Sequence, residues 1–189
     1  EDALGEATVW LEQDGKVIRY GSTRRHVMGL EVVLASGTVL TMGGKIRKDT
    51  WGYNLVQLMA GSEGTLGVMT KIIVNLEPKP GKVVNLLTAF GTLDEAVDCV
   101  AKVIRSGISI ISCEILDRLS TAITCRYLNT SLPYQDRAAA YLIIQIEGDT
   151  DERLEDSYEK VGKILMDGGA LEVFVAESRT ESAAIWNVR

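Results

Sequence analysis

A glycine-rich run at residues 61–68 is the sequence feature that most constrains this chain. It places three glycines within seven residues, directly ahead of an apolar, β-branched run over 68–76. Glycine lets the backbone turn tightly and approach another group closely, because it carries no Cβ. The spacing differs from the G-x-G-x-x-G fingerprint, which joins a strand to a helix around a dinucleotide. The run therefore predicts a loop that leads into a strand and presents backbone N–H and C=O groups to a ligand.

Charge and cysteine usage narrow the class of protein. The 189 residues carry a net charge of -6, which offers no basic face for nucleic acid or anionic lipid. No apolar run is long enough to span a membrane. The three cysteines, Cys99, Cys113 and Cys125, are an odd number without C-x-x-C spacing, so we expect buried thiols in a reducing, cytoplasmic compartment.

Histidine chemistry has little support. His26 is the single histidine, and we interpret it as an ordinary polar residue beside Arg24 and Arg25. A metal site built on histidine needs several such side chains. We therefore predict neither a metal site nor a catalytic residue within the chain. The chain begins with Glu and ends at Arg189 within a helical pattern, so we expect it to be a fragment of a larger protein.

The first 80 residues predict a small sheet with one short helix. Alternating apolar segments at 29–35 and 38–42 flank a turn at Ser36-Gly37 and predict a hairpin. Asn54 is placed to cap a short helix that runs through Ala60. A third strand is expected at 68–76. Two prolines and a glycine within 77–81 interrupt all regular structure, so we place a domain boundary there.

The second half alternates strands and helices. Strands are predicted at 83–90, 110–116, 139–147 and 171–176. The helix after the first strand is opened by a Thr92–Glu95 capping box, shows apolar Val97, Val100, Ala101 and Ile104, and ends near Gly107. Further helices are predicted at 117–128, from Asp149 with Glu152 to Gly168-Gly169, and from Ser178 with Glu181 onward. With the middle helix set aside, the order is β-α-β-β-α-β, which is ferredoxin-like; the predicted fold class is α+β.

Residues 20–80 resemble the FAD-linked oxidase family, which includes D-lactate dehydrogenases, the D subunit of glycolate oxidase and D-2-hydroxyglutarate dehydrogenases. Several elements match in order and spacing: Tyr20-Gly21, 27–34, Gly37, Gly43-Gly44-Lys45, 48–55 and 61–70. Two later segments match less closely, Glu114 to Arg118 with a cap-domain motif and 185–189 with a W-x-x-R motif. Residues 1–19 lack the glycine-rich, asparagine-containing segment that this family carries ahead of Tyr20.

The resemblance implies a vanillyl-alcohol-oxidase-like flavin fold. Residues 1–80 would be the C-terminal half of a PCMH-type FAD-binding domain, and 81–189 a truncated ferredoxin-like substrate or cap domain. The implied cofactor is FAD, and the implied activity is oxidation of a small 2-hydroxy acid. The residues expected to bind the cofactor form the glycine-rich loop: Gly61, Ser62, Glu63, Gly64, Thr65, Gly67 and Val68.

Arg189 is the expected substrate residue. The substrate carries a carboxylate, which a guanidinium matches with two parallel hydrogen bonds, and the resemblance assigns this role to the arginine of the W-x-x-R motif. Trp186 lies three residues before Arg189, so the two are expected to share a helix face. Glu114 and Asp117 are interpreted as a surface charge and a helix cap.

Other residues keep two interpretations. Glu63 either accepts hydrogen bonds from ribose as a ligand contact, or it pairs with a nearby basic residue or caps the N–H of Thr65 or Gly67. Tyr53 packs near the cofactor or in the core. The basic residues contact FAD phosphates or form a solvated surface; they are Arg24, Arg25, Arg47 and Lys48.

Two other functions stay open. One is a non-catalytic ferredoxin-like module that binds an effector or forms an interface; the other is a flavin enzyme of the same fold with another substrate, such as an alkyl-glycerone-phosphate synthase. The electron acceptor is unknown from sequence, and the protein is compatible with a homo-oligomer or a partner subunit.

Overall fold

The computed structural model describes residues 17–46, 48, 50–78, 81–176 and 178–189. The described residues form two compact units. One comprises Tyr20–Pro78, and the other comprises residues 81–189 together with Val17–Arg19. Within these described ranges, no helix has the length and apolar character needed to cross a membrane.

The first unit is a three-stranded antiparallel sheet with a short helix on one face. Its strands are β1 (Val27–Val33), β2 (Val39–Gly43) and β3 (Val68–Val74), in the order β2-β1-β3. A 3-10 turn (Thr23–His26) precedes β1, and α2 (Leu55–Met59) lies between β2 and β3. The short helix α1 (Val17–Tyr20) comes before them in the chain, and its first three residues belong to the second unit. The core forms between β1 and α2 from four buried side chains, Leu30, Val32, Val56 and Met59.

Local sequence explains these elements. At the β1–β2 turn, the Leu34 N–H donates to the Thr38 carbonyl at 2.9 Å, and Gly37 has a φ of +81°, which favours glycine. Asn54 caps α2 by accepting from the Gln57 N–H at 3.0 Å, as predicted. His26 is buried, and its Nε2 donates to the Tyr20 carbonyl at 2.7 Å.

The second unit is a four-stranded antiparallel sheet with helices between its strands. The elements are β4 (Lys82–Phe90), α3 (Leu93–Arg105), β5 (Ile110–Asp117), α4 (Arg118–Leu128), β6 (Ala140–Gly148), α5 (Asp151–Asp167), β7 (Ala170–Ala176) and α6 (Arg179–Asn187). The strand order is β5-β6-β4-β7. With α4 set aside, this is the predicted β-α-β-β-α-β order.

The sheet of the second unit is covered on both faces. Leu86, Phe90, Leu142 and Ile144 pack on one side with residues of α3 and α5, including Val103 and Leu165. The alternate strand positions, including Leu87, Tyr141 and Ile143, pack on the other side with Ile185 of α6 and its C-cap residue Val188. Because β4 and β6 are buried on both faces, they are apolar almost throughout instead of alternating.

Two local predictions in this unit are wrong. The buried positions of α3 are Ala96, Cys99 and Val103, whereas Val97 and Ile104 are about half exposed. The buried stripe therefore lies one position away from the predicted one, because small Ala and Cys side chains fit against the sheet. The N-cap of α5 is Thr150, which accepts from the Arg153 N–H at 3.3 Å.

The other predicted helix starts and ends are found. Thr92–Glu95 and Ser178–Glu181 both form capping boxes, and α5 ends at Gly168. Asp149, predicted as the start of α5, instead pairs with Arg153 at 3.3 Å. The predicted burial of the cysteines holds for Cys99 and Cys125, whereas Cys113 is partly buried; all three are free thiols.

Candidate functional site

The glycine-rich loop connects α2 to β3 in the first unit. Its backbone enters the left-handed region at Gly61, Glu63 and Gly64, with φ values of 88°, 51° and 76°. The Ser62 N–H donates to the Met59 carbonyl at 3.0 Å, and the Thr65 N–H and hydroxyl both donate to the Ser62 carbonyl, at 3.0 and 2.6 Å. The loop is thus a defined sequence of tight turns, as its composition predicts.

The three loop glycines have different structural surroundings. A Cβ at Gly67 would lie 2.6 Å from Val32 Cγ1 and 2.9 Å from the Val33 carbonyl oxygen, so this glycine allows the loop to pack on β1. A Cβ at Gly61 would meet the Arg24 guanidinium at 2.7 Å. A Cβ at Gly64 would meet no atom within 4 Å. Gly64 therefore leaves open space beside an exposed backbone, which a ligand could approach closely.

The loop has the features expected of a cofactor-contacting segment. Gly64, Thr65 and Val68 are exposed. Among the described residues, nothing hydrogen-bonds the buried Ser62 Oγ. Buried polar atoms normally find a partner, so the Ser62 hydroxyl has hydrogen-bonding capacity left for a ligand. These residues fit a flavin nucleotide. The Thr65 N–H bonds Ser62, so the structure does not support Glu63 as its cap.

The other residues singled out in the first unit lie at the surface. Tyr53 is 94% exposed, which rules out the core interpretation. Arg24, Arg25 and Lys48 are exposed, in agreement with a solvated surface, and Arg47 lies outside the described residues. Sequence reasoning missed a depression of about 430 Å³ near the start of β1, whose lining includes Arg25, Asn54, Gln57 and Asn75. Its lining residues come from segments far apart in the sequence, so no sequence motif predicts it.

The predicted substrate residue lies at the end of α6 in the second unit. α6 ends at Asn187, and Val188 is its C-cap. Arg189 follows, so it is not within the helix as predicted, although its N–H still donates to the Trp186 carbonyl at 3.3 Å. Its guanidinium carbon lies 5.6 Å from the centroid of the Trp186 ring, within cation–π range. The two side chains therefore lie on the same side, as predicted, although Arg189 lies beyond the end of the helix.

Glu114 pairs with Arg189, contrary to its interpretation as a surface charge. The Glu114 Oε2 to Arg189 Nε distance is 3.8 Å, and the two side chains are 27% and 33% exposed. The carboxylate lies on the Nε side of the guanidinium. With Glu114 on the Nε side, the two terminal Nη groups of an arginine remain available. These two groups can donate parallel hydrogen bonds to a second carboxylate.

Asp117 is the N-cap of α4, as predicted. Its Oδ1 accepts from the Ser120 N–H at 2.6 Å and from the Ser120 hydroxyl at 2.8 Å. These two hydrogen bonds, the backbone one first, lower the pKa of Asp117. The side chain is committed to the helix start, which explains why it has no part in binding Arg189.

Sequence reasoning missed the polar residue that joins α6 to the sheet. Asn85, in β4, is 4% exposed. Its Oδ1 accepts from Trp186 Nε1 at 2.9 Å and from Gln145 Nε2 at 3.0 Å, and its Nδ2 donates to Ser182 Oγ at 3.0 Å. The available signal was an amide within an otherwise apolar strand, because a buried polar group is costly unless it is hydrogen-bonded.

A metal centre finds no support in the described part of the chain. Across those residues, no three or more His, Cys, Asp or Glu side chains lie together as a metal site would need.

Residues 79–189 match the family described as FAD linked oxidases, C-terminal domain. The match covers more than half of the chain, and the chain therefore belongs to this family. It is 38% identical over 172 residues to the glycolate oxidase subunit GlcD of Bacillus subtilis, covering 91% of this chain and 36% of that protein. It is 30% identical over 174 residues to the D-lactate dehydrogenase of Archaeoglobus fulgidus, covering 92% and 38%. The chain thus spans little more than a third of these relatives.

Solved structures share the fold. An alkyldihydroxyacetonephosphate synthase superposes with a TM-score of 0.65 at 20% identity, covering 97% of this chain and 35% of the synthase. A p-cresol methylhydroxylase superposes with a TM-score of 0.59 at 19% identity, covering 84% and 36%. Identities this low establish the fold alone. They place the chain among PCMH-type flavin oxidase folds, as the resemblance in the sequence implied.

Proposed function

We propose that the chain is part of an FAD-dependent oxidoreductase that oxidises a small 2-hydroxy acid of the D-lactate, glycolate or D-2-hydroxyglutarate class. Residues 1–80 would form part of the FAD-binding domain, and 81–189 a ferredoxin-like substrate or cap domain. The similarity to a glycolate oxidase subunit and a D-lactate dehydrogenase over nine-tenths of the chain supports this assignment. The single observation that carries it is the position of Arg189, within cation–π range of Trp186 and paired with Glu114.

The glycine-rich loop would hold the cofactor through its backbone. The residues proposed to contact FAD are Gly61, Ser62, Glu63, Gly64, Thr65, Gly67 and Val68. Support comes from the open space at Gly64 and from the buried Ser62 hydroxyl, which has no partner among the described residues. Gly67 would contribute indirectly, by letting the loop lie against β1. A flavin held by these residues would supply the two-electron acceptor for oxidation of the acid.

Arg189 would bind the substrate carboxylate. Its guanidinium lies over the Trp186 ring and is paired with Glu114 on its Nε side, so less orientational freedom remains to be lost on binding. A carboxylate held by two charge-assisted hydrogen bonds fixes the direction of the adjacent α-carbon. The hydroxyl proton would leave through a residue or water that we do not assign to this chain.

The test is to purify the full-length protein and record its visible spectrum. Flavin bands, or their appearance on adding FAD, are the expected result. A protein that shows neither refutes FAD binding. D-lactate, glycolate and D-2-hydroxyglutarate are then assayed with an artificial electron acceptor, and the Gly64→Val variant is compared with Gly37→Val. Both glycines have a positive φ, +76° and +81°, and a Cβ at either meets no atom within 4 Å, so both variants carry the same backbone strain. Gly64→Val should lower the flavin content further than Gly37→Val, because only Gly64 lies in the proposed cofactor loop.

A flavin-loaded protein that oxidises none of the three acids would favour the synthase-like alternative, to which the structural similarity gives weaker support. A protein without flavin would favour the non-catalytic module. We further propose a cytoplasmic location, which the three free thiols support. The same purification would show whether the protein is a homo-oligomer or carries a partner subunit. We propose no electron acceptor.

A further inference from the structure

A polar row crosses the sheet of the second unit on the face that packs against α6. Ser112, Gln145 and Asn85 are aligned across β5, β6 and β4 by the strand registers. All three are buried, with exposures of 0%, 7% and 4%. The neighbouring positions on this face are apolar, including Leu87, Ile143 and Ile185. Amide side chains in such surroundings are retained only where they make specific hydrogen bonds.

Asn85 has the densest contacts in this row. It is bonded to one residue of the sheet, Gln145, and to two residues of α6, Ser182 and Trp186. Ser182 and Trp186 are four apart, so they lie on the same face of α6, one turn from each other. Asn85 thus determines the position of α6 along the helix axis and the rotation of its Trp186 side chain.

Trp186 transmits this position to Arg189. The indole ring is fixed through its Nε1–H, which donates to Asn85 Oδ1 at 2.9 Å. The Arg189 guanidinium lies over the same ring, 5.6 Å from its centroid, and pairs with Glu114 of β5 at 3.8 Å. A rotated indole would remove the surface on which the guanidinium rests. It would also change the distance from Arg189 to Glu114.

We propose that Asn85 is a positioning residue for substrate binding, which orients the Arg189 guanidinium by hydrogen-bonding Trp186 and Ser182. Asn85 makes no contact with the substrate in this proposal; it acts through Trp186. The substrate role of Arg189 in this proposal rests on the proposed function. The orientation of Arg189 by Asn85 is independent of it.

The experiment uses the ¹⁵N-labelled full-length protein and three variants. Asn85→Leu removes the acceptor and the donor while keeping the side-chain size close. Thr88→Val is the matched control: Thr88 is on the same strand, 0% exposed, and lies three positions further on, so it faces the opposite side of the sheet. Arg189→Ala provides the background for a double-mutant cycle. The signals followed are the Trp186 indole N–H and the Arg189 Nε–H, and D-lactate is titrated into each protein.

In Asn85→Leu we expect both signals to shift and the Kd for D-lactate to rise about tenfold, because a bidentate charge-assisted contact is misplaced. Thr88→Val should change neither signal nor the Kd. In the Arg189→Ala background, Asn85→Leu should cause no further loss of affinity. If Asn85→Leu does not fold, Trp186→Phe removes the same hydrogen bond and keeps an aromatic surface, and the Arg189 signal should shift in the same way.

Two outcomes separate the hypotheses. If Asn85→Leu shifts the Trp186 signal and lowers the melting temperature but leaves the Arg189 signal and the Kd as they are in Thr88→Val, Asn85 is purely structural and the proposal is overturned. If the unsubstituted full-length protein binds neither D-lactate, glycolate nor D-2-hydroxyglutarate, yet the Arg189 signal responds to Asn85→Leu, the proposed substrate role fails while the control of Arg189 by Asn85 is supported.

Discussion

Gly67→Ala should destabilise the first unit because of packing, not because of backbone conformation. The added Cβ would lie 2.6 Å from Val32 Cγ1 and 2.9 Å from the Val33 carbonyl oxygen. Carbon atoms in favourable contact are about 3.5–4.0 Å apart, so the loop or β1 must move by roughly 1 Å. Val32 is 0% exposed and β1 is paired on both sides, which leaves little room for the movement.

The magnitude follows from two opposing terms. Overpacking a well-filled site costs about 1–3 kcal/mol. Replacing glycine by alanine restricts the unfolded chain, which returns about 0.4–1 kcal/mol. The net loss is therefore about 1–2 kcal/mol, equivalent to a 5- to 30-fold larger unfolded fraction, as an order-of-magnitude estimate.

Amide hydrogen exchange of β1 measures this loss locally. The N–H groups of Val32 and Val33 should exchange roughly 5- to 30-fold faster in Gly67→Ala than in the parent. Gly44→Ala is the matched control in the same unit, since its Cβ would meet only Ile46 Cγ1, at 3.8 Å. Equal exchange rates in the two variants would show that the loop does not press on β1, and the structural explanation of Gly67 would be wrong.

Three further predictions follow from other contacts. Arg189→Lys should raise the KM for D-lactate about 10- to 100-fold at unchanged flavin content, because lysine cannot form the bidentate contact; an unchanged KM would argue against carboxylate binding there. Thr92→Ala should lower the free energy of unfolding by about 1 kcal/mol in urea titrations, because it removes the capping box of α3; no change would mean that solvent replaces the cap. Burial first, and then Glu114, raise the pKa of Cys113 to about 12. The folded state thus favours the neutral thiol, so stability should fall as pH rises from about 8.5 towards 12, and Cys113→Ala should flatten this slope.

The sequence predicted the elements better than the faces they bury. Glycine, proline and capping residues mark element ends directly, so both capping boxes, the Asn54 cap and the glycine loop are where they were expected. The buried stripe of α3 was wrong because burial follows the space available against the sheet, and Ala96 and Cys99 fit where larger side chains do not. The N-cap of α5 is Thr150 instead of Asp149 for a different reason. Asp and Thr are both good N-caps, and β6 extends to Gly148, one residue beyond its predicted end, so the helix also starts one residue later.

The residues around Arg189 could not be assembled from the sequence because no local rule connects them. Asn85, Glu114 and Trp186 lie in β4, β5 and α6, and only the strand order β5-β6-β4-β7 brings these elements together. Yet the strand itself carries a signal. In a strand buried on both faces, apolar side chains are interchangeable within limits of volume, whereas an amide must find its partners. An isolated Asn or Gln in such a strand therefore marks a position where the fold holds a particular neighbour in place. In this chain, the neighbour is the helix that carries the W-x-x-R motif, and the role of Asn85 follows from which side chain of that helix it holds.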